Sequence, residues 1–161
     1  MKPKDNLLLR KWLLIGYGNS IKSDDRFGLE IIQQLQNILP NNSVDFITAH
    51  QLLPELAKVI SLAKGVIFID ASASLPPGKF ECLEIKPASN TKTTIALGHF
   101  LTPEILLQHT HSLYGHIPQS WLYTVGGEHF YFGEELSSTV KAMLPIVIEK
   151  ICQKINNQSI S

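Results

Sequence analysis

Cysteine is nearly absent: Cys82 and Cys152 are the only two, far apart in the chain. No Cys-x-x-Cys pair exists, which excludes a zinc ribbon and a thioredoxin-type centre. Nothing here asks for an oxidising compartment, so a cytoplasmic location is expected. An excess of either charge is also missing, with Lys+Arg 14 and Asp+Glu 14. That balance argues against a nucleic-acid binder, which normally carries a basic face. Long hydrophobic runs are absent too. Leu7-Leu8-Leu9 is broken by Arg10-Lys11 before Trp12 to Gly16. Such a stretch is too short and too charged for a signal peptide or a membrane helix. There is no repeat, no low-complexity segment and no linker. The expectation is one domain over residues 1–161, with a core of about 12–151 and polar ends.

Within those bounds, short apolar runs alternate with segments of helical period. Trp12 to Gly16 reads as a buried strand. Phe27, Ile31, Ile32, Leu35, Ile38 and Leu39 recur at helical spacing until Pro40-Asn41-Asn42. Val44 to Thr48 reads as a strand and Pro54 to Lys64 as a helix that Gly65 ends. Val66 to Asp70 is apolar almost throughout, as a central strand should be. Pro76-Pro77-Gly78 makes a turn into a strand at Phe80 to Ile85. The link is too short for a helical crossover, so this strand is expected antiparallel, at an edge. Thr102-Pro103-Glu104 is a helix start, with a cap, a proline and an acid in order. Trp121 to Val125 is a further strand, and Val140, Met143, Leu144, Val147 and Ile151 form a closing helix. The predicted class is α/β: a single-domain, mostly parallel twisted sheet of about five strands with helices on both faces.

Open sheets of this kind bind ligands beyond the carboxyl ends of their strands, where the strand order reverses. The first and third strands are expected to flank that reversal. Gly16-Tyr17-Gly18-Asn19-Ser20-Ile21-Lys22-Ser23-Asp24-Asp25 follows the first, and Asp70 ends the third. The loop after the fourth strand can return Gly98-His99-Phe100 to the same edge. Two carboxylates and an imidazole suit a divalent ion with open coordination positions.

These residues also carry a resemblance. Gly16-x-Gly18-Asn19-x-Ile21-x-x-Asp24-Asp25-x-x-Gly28 resembles the first signature of the [NiFe]-hydrogenase maturation endopeptidases. Phe68-Ile69-Asp70-Ala71 with Pro77-Gly78 is similar to the second. Gly98-His99-x-x-x-Pro103-x-x-Leu106-Leu107 is similar to the third. The resemblance spans about Trp12 to Ile151. It implies a metal-dependent endopeptidase that removes the C-terminal extension of the nickel-loaded large-subunit precursor. It implies Asp25, Asp70 and His99 as catalytic and metal-binding residues, with the nickel supplied by the precursor itself. The expected protein is a monomer whose partner is that precursor, without nucleic acid or membrane. His50 to Leu56 and Leu113-Tyr114-Gly115 further resemble the branch serving soluble, bidirectional-type hydrogenases.

Each residue also has a plainer reading. Asp24 and Asp25 suit a helix cap and a first-turn acid, and Asp24 keeps that role here. Arg26 stands where the family often has a small residue. A cation at a helix start costs roughly 0.3–1 kcal/mol when exposed, so Arg26 should turn away or meet an acidic group of the partner. His109, His111 and His116 read as surface or core-edge residues, Cys82 as packing, and His50 and His129 stay unassigned. Gly16-x-Gly18 invites a Rossmann-like nucleotide-binding reading, but Ile21 replaces the third glycine and the second strand lacks its terminal acid. The glycines are instead expected to let the backbone turn tightly beneath a bound peptide. The other alternative is a non-catalytic nickel-sensing maturation chaperone.

Overall fold

The computed structural model describes residues 10–89 and 101–158. Strands β1 (Trp12–Tyr17), β2 (Val44–Ala49), β3 (Gly65–Ser72), β4 (Phe80–Ile85) and β5 (Gln119–Gly126) form one sheet in the order β2-β1-β3-β5-β4. The first three and β5 run parallel, while β4 is antiparallel to β5 at the edge. The order therefore reverses between β1 and β3, as the sequence suggests.

Side-chain alternation along the strands divides the interior into two layers. Trp12, Leu14, Ile67, Ile69, Trp121 and Val125 face one way. They are covered by α1 (Phe27–Leu35) and by α5 (Leu144–Gln158) through Ile31, Ile32, Val147 and Ile151. Leu13, Ile15, Val66 and Phe68 face the other way, under α2 (Ala57–Leu62) and α3 (Pro103–Tyr114) through Ile60, Leu106 and Leu107. Each large apolar side chain buried this fully contributes about 1.5–3 kcal/mol. That packing decides helicity here, because α2 has only 6 residues, far below what an isolated helix needs in water.

Boundaries differ from the sequence expectation in four places. The first helix stops at Leu35 instead of running to Leu39, and Ile38 is exposed. The Pro54 segment opens as a 3-10 turn (Pro54–Leu56), and α2 stops at Leu62. Gly65 begins β3 and packs against the Trp12 ring instead of capping the helix. The closing helix is two pieces, α4 (Ser138–Lys141) and α5, with burial continuing to Ile155. By contrast, α3 begins as predicted: Thr102 Oγ1 accepts from Ile105 N–H at 3.3 Å, and Pro103 is the first helical residue.

Candidate active site

Gly16 pairs with Ile69, so the next residues, Tyr17 and Asp70, sit side by side where the β1–β3 pairing ends, at the reversal, while β3 itself runs on to Ser72 against β5. Odd positions of β1 and even positions of β3 face α2 and α3, which puts the phenol and the carboxylate on one face. The Tyr17 hydroxyl donates to Asp70 Oδ2 at 2.7 Å. Asp70 Oδ1 and Thr124 Oγ1, across the β3–β5 pair, are both buried without a hydrogen-bond partner among the described residues. The Thr124 hydroxyl is near enough to favour the carboxylate's charge but falls outside bonding geometry. Burial pushes Asp70 above the usual carboxylate range, and the negative charges of Asp25 and Glu104 push the same way. Burial, then the Asp70 charge, keeps the Tyr17 phenol protonated far above its ordinary range.

Asp25 reaches this edge from the turn between β1 and α1. That turn is a short 3-10 segment, Ser23–Arg26. Asn19 N–H donates to Asp25 Oδ2 at 2.8 Å, which holds the half-buried carboxylate at the loop's inner side. Gly18 takes φ +146°, and any Cβ there would run into the Asp25 carbonyl. A cleft of about 300 Å³ opens beside Asp25, lined among others by Tyr17, Asn19, Lys22, His50 and Leu101. His50, unassigned from the sequence, is thus a wall of this cleft.

The sequence-predicted site is brought together in part. Asp25 and Asp70 reach the same edge, where the Asp25 charge adds to the burial that raises Asp70. His99 lies outside the described residues. Among the described residues, no three His, Cys, Asp or Glu side chains sit close enough to hold a metal ion. His111 and His116 are exposed and His109 is half-buried, in keeping with their reading as surface or core-edge residues.

Four expectations need correction. Asp24 caps no helix: it is wholly buried and its carboxylate binds the loop that follows β5. It accepts from the backbone N–H of Glu128, His129 and Ser137 and from the Ser137 hydroxyl, at 2.7–2.9 Å. Arg26 neither turns away nor waits for a partner: its guanidinium donates to the Glu134 carbonyl and lies 3.8 Å from Glu30. Cys82 is exposed, because β4 is an edge strand with its outer face uncovered. Gly16, unlike Gly18, serves packing and not a turn: a Cβ on Gly16 would strike the Gly28 carbonyl, so the start of α1 rests directly on the sheet.

Two site residues escaped the sequence reading. Tyr17 occupies an open position of its motif, and only the parity of β1 signals where its phenol points. Glu104 reads as an ordinary first-turn acid, yet α3 carries its charge to Asp70.

No protein-family model matches the chain, and a search of curated proteins finds no match. Solved structures do match. The hydrogenase maturating endopeptidase HybD from Escherichia coli aligns with TM-score 0.73 and 22% identity, covering 92% of this chain and 93% of that one. An endopeptidase from Escherichia coli aligns with TM-score 0.72 and 25% identity, covering 92% and 93%. The [NiFe] hydrogenase maturation protease HycI from Thermococcus kodakarensis gives TM-score 0.65, 18% identity, and coverage of 91% and 92%. The class defined by sheet order and edge is thus an α/β protein with an acidic switch-point site. Its fold is that of the hydrogenase maturation endopeptidases.

Proposed function

We propose that this chain is an endopeptidase that removes the C-terminal extension of a nickel-loaded [NiFe]-hydrogenase large-subunit precursor. The observation that carries this reading is that Asp25 and Asp70 both reach the edge at the β1–β3 reversal, in a fold shared nearly end to end with such peptidases. The nickel belongs to the substrate. The donor set fits it in chemistry: two carboxylates, one with an oxygen that no described residue bonds, plus the imidazole of His99 that the resemblance assigns. The charges of Asp25 and Glu104 disfavour an ionised Asp70, a cost that a docked divalent ion would offset.

On this reading Asp25, Asp70 and His99 meet the precursor's metal and fix its position against the cleft. Nickel supplies Lewis-acid polarisation or placement of the reacting groups. The chain's own contribution is to orient the carboxylates, seat the extension in the cleft beside Asp25 and limit water around them. Service to the branch of soluble, bidirectional-type hydrogenases is the finer proposal, resting on the His50 to Leu56 and Leu113 to Gly115 segments.

The test is the mass of nickel-loaded precursor before and after incubation with the purified chain. The reading expects loss of one C-terminal peptide with wild-type protein and none with folded Asp70→Asn or His99→Ala. The Asp70→Asn protein should melt no lower than wild type, since the amide removes a buried charge with one hydrogen-bond donor. Binding without cleavage by wild-type protein would favour the chaperone alternative. Full cleavage by Asp70→Asn would remove Asp70 from the site.

A further inference from the structure

The position between Gly16 and Gly18 carries no chemistry in the motif, yet in this chain it holds a tyrosine whose hydroxyl bonds the Asp70 carboxylate. We infer that Tyr17 is a positioning residue, whose phenol orients the Asp70 carboxylate toward the metal-bearing face of the precursor.

Strand geometry dictates the contact. Leu13, Ile15 and Tyr17 alternate onto the face of α2 and α3, as do Val66, Phe68 and Asp70. Tyr17 ends its row and Asp70 is the first polar residue of the other, and the two meet where the β1–β3 pairing ends. A shorter side chain at 17 would not span the gap, and an apolar one would leave Asp70 without a donor among the described residues. The other hydroxyl nearby, that of Thr124, also favours the carboxylate's charge but makes no bond of good geometry among the described residues. A buried carboxylate with a single donor rotates readily unless that donor fixes one oxygen. Tyr17 Oη holds Oδ2 at 2.7 Å, which fixes the rotation of the carboxylate and with it the place of the buried Oδ1. Tyr17 also lines the cleft beside Asp25, so one side chain ties the position of Asp70 to the wall of the peptide's proposed seat. Partners that orient a metal-meeting group through a hydrogen bond typically change affinity or activity by about 10–100-fold when removed.

This inference rests on the proposed peptidase reading. Its test compares wild type with Tyr17→Phe, which keeps the ring and removes the hydroxyl. Two quantities are read: kcat and KM for nickel-loaded precursor, and the ¹³C resonance of the Asp70 side-chain carboxyl in aspartate-labelled protein. The expected result is a fall in kcat/KM of about 10–100-fold. It should come with a moved Asp70 resonance, unmoved Asp24 and Asp45 carboxyl resonances, and an unchanged melting temperature. A Tyr17→Phe protein with wild-type kcat and KM would overturn the positioning role. So would a loss of activity matched by a general loss of fold, with every aspartate resonance displaced. Wild-type protein that leaves the precursor intact would instead overturn the peptidase reading, and the positioning role would fall with it.

Discussion

Asp24 is wholly buried, and three backbone N–H groups and one hydroxyl converge on it from the loop after β5. Burial alone would raise its pKa, but these bonds outweigh it and hold the carboxyl below its ordinary range. The sign follows. A depressed folded pKa adds stability that is complete above the unfolded value near 4 and fades as pH falls toward the folded one. Asp24→Asn should therefore cost about 1–3 kcal/mol at neutral pH, since its amide N–H₂ would confront backbone donors. Urea unfolding should show the gap to wild type closing below about pH 4. A gap independent of pH would mean that the charge is not what holds the loop. None of these partners is legible locally, because each lies more than a hundred residues downstream: the Glu128 contact spans 104 positions. Asp25 and Asp70 were legible for the opposite reason. Asp25 follows β1 and Asp70 closes the apolar run of β3, so their placement follows from the strands, which announce themselves as apolar runs. Tyr17 shows the limit between the two cases, since parity gives the direction of its side chain but not the identity of what it meets.

At the scale of elements, the start of α1 and the loop after β5 hold the site in place together. Ser23 N–H donates to the Gly133 carbonyl and Gly133 N–H to that of Ile21, so the loop is laced to the turn bearing Asp25. Arg26 adds a further tie through Glu134, which recasts an apparent family departure as an internal brace. On the other side, α1 meets the sheet without an intervening side chain. A Cβ on Gly28 would strike the Ile69 carbonyl and stand 3.0 Å from Tyr17 N. Exposed Gly→Ala exchanges in helices stabilise by about 0.5–1 kcal/mol. Here the obstacle is backbone on two strands, which cannot rotate away, so Gly28→Ala should lose about 1–3 kcal/mol net. Precursor processing should fall with it, because the displaced atoms lead into Tyr17 and Asp70. A thermal melt with Tm at or above wild type would show that α1 can lift off the sheet at no cost. The sequence pattern shows these glycines as a motif, but their use for close packing is a tertiary fact that no spacing reveals.

For the whole molecule, the sheet order is what joins residues far apart in sequence. The apolar runs, the crossovers and the short link before β4 pointed to a mostly parallel sheet with an antiparallel edge, and the order β2-β1-β3-β5-β4 agrees. Helix ends were less legible, because packing, not propensity, decides where α2 and α5 stop. The resulting edge gathers three acids, Asp25, Asp70 and Glu104, around one tyrosine, in a chain of zero formal net charge. Oxygen and imidazole ligands prefer copper over nickel and tolerate zinc, so such an edge is a poor selector of free nickel. Selectivity is better served if the precursor presents nickel already held by its own ligands. The most direct measurement is therefore cleavage of nickel-loaded and nickel-free precursor by chelator-treated protein, with chelator still present and product masses recorded. The account predicts that only the nickel-loaded precursor loses its extension; efficient cutting of the nickel-free precursor would contradict it.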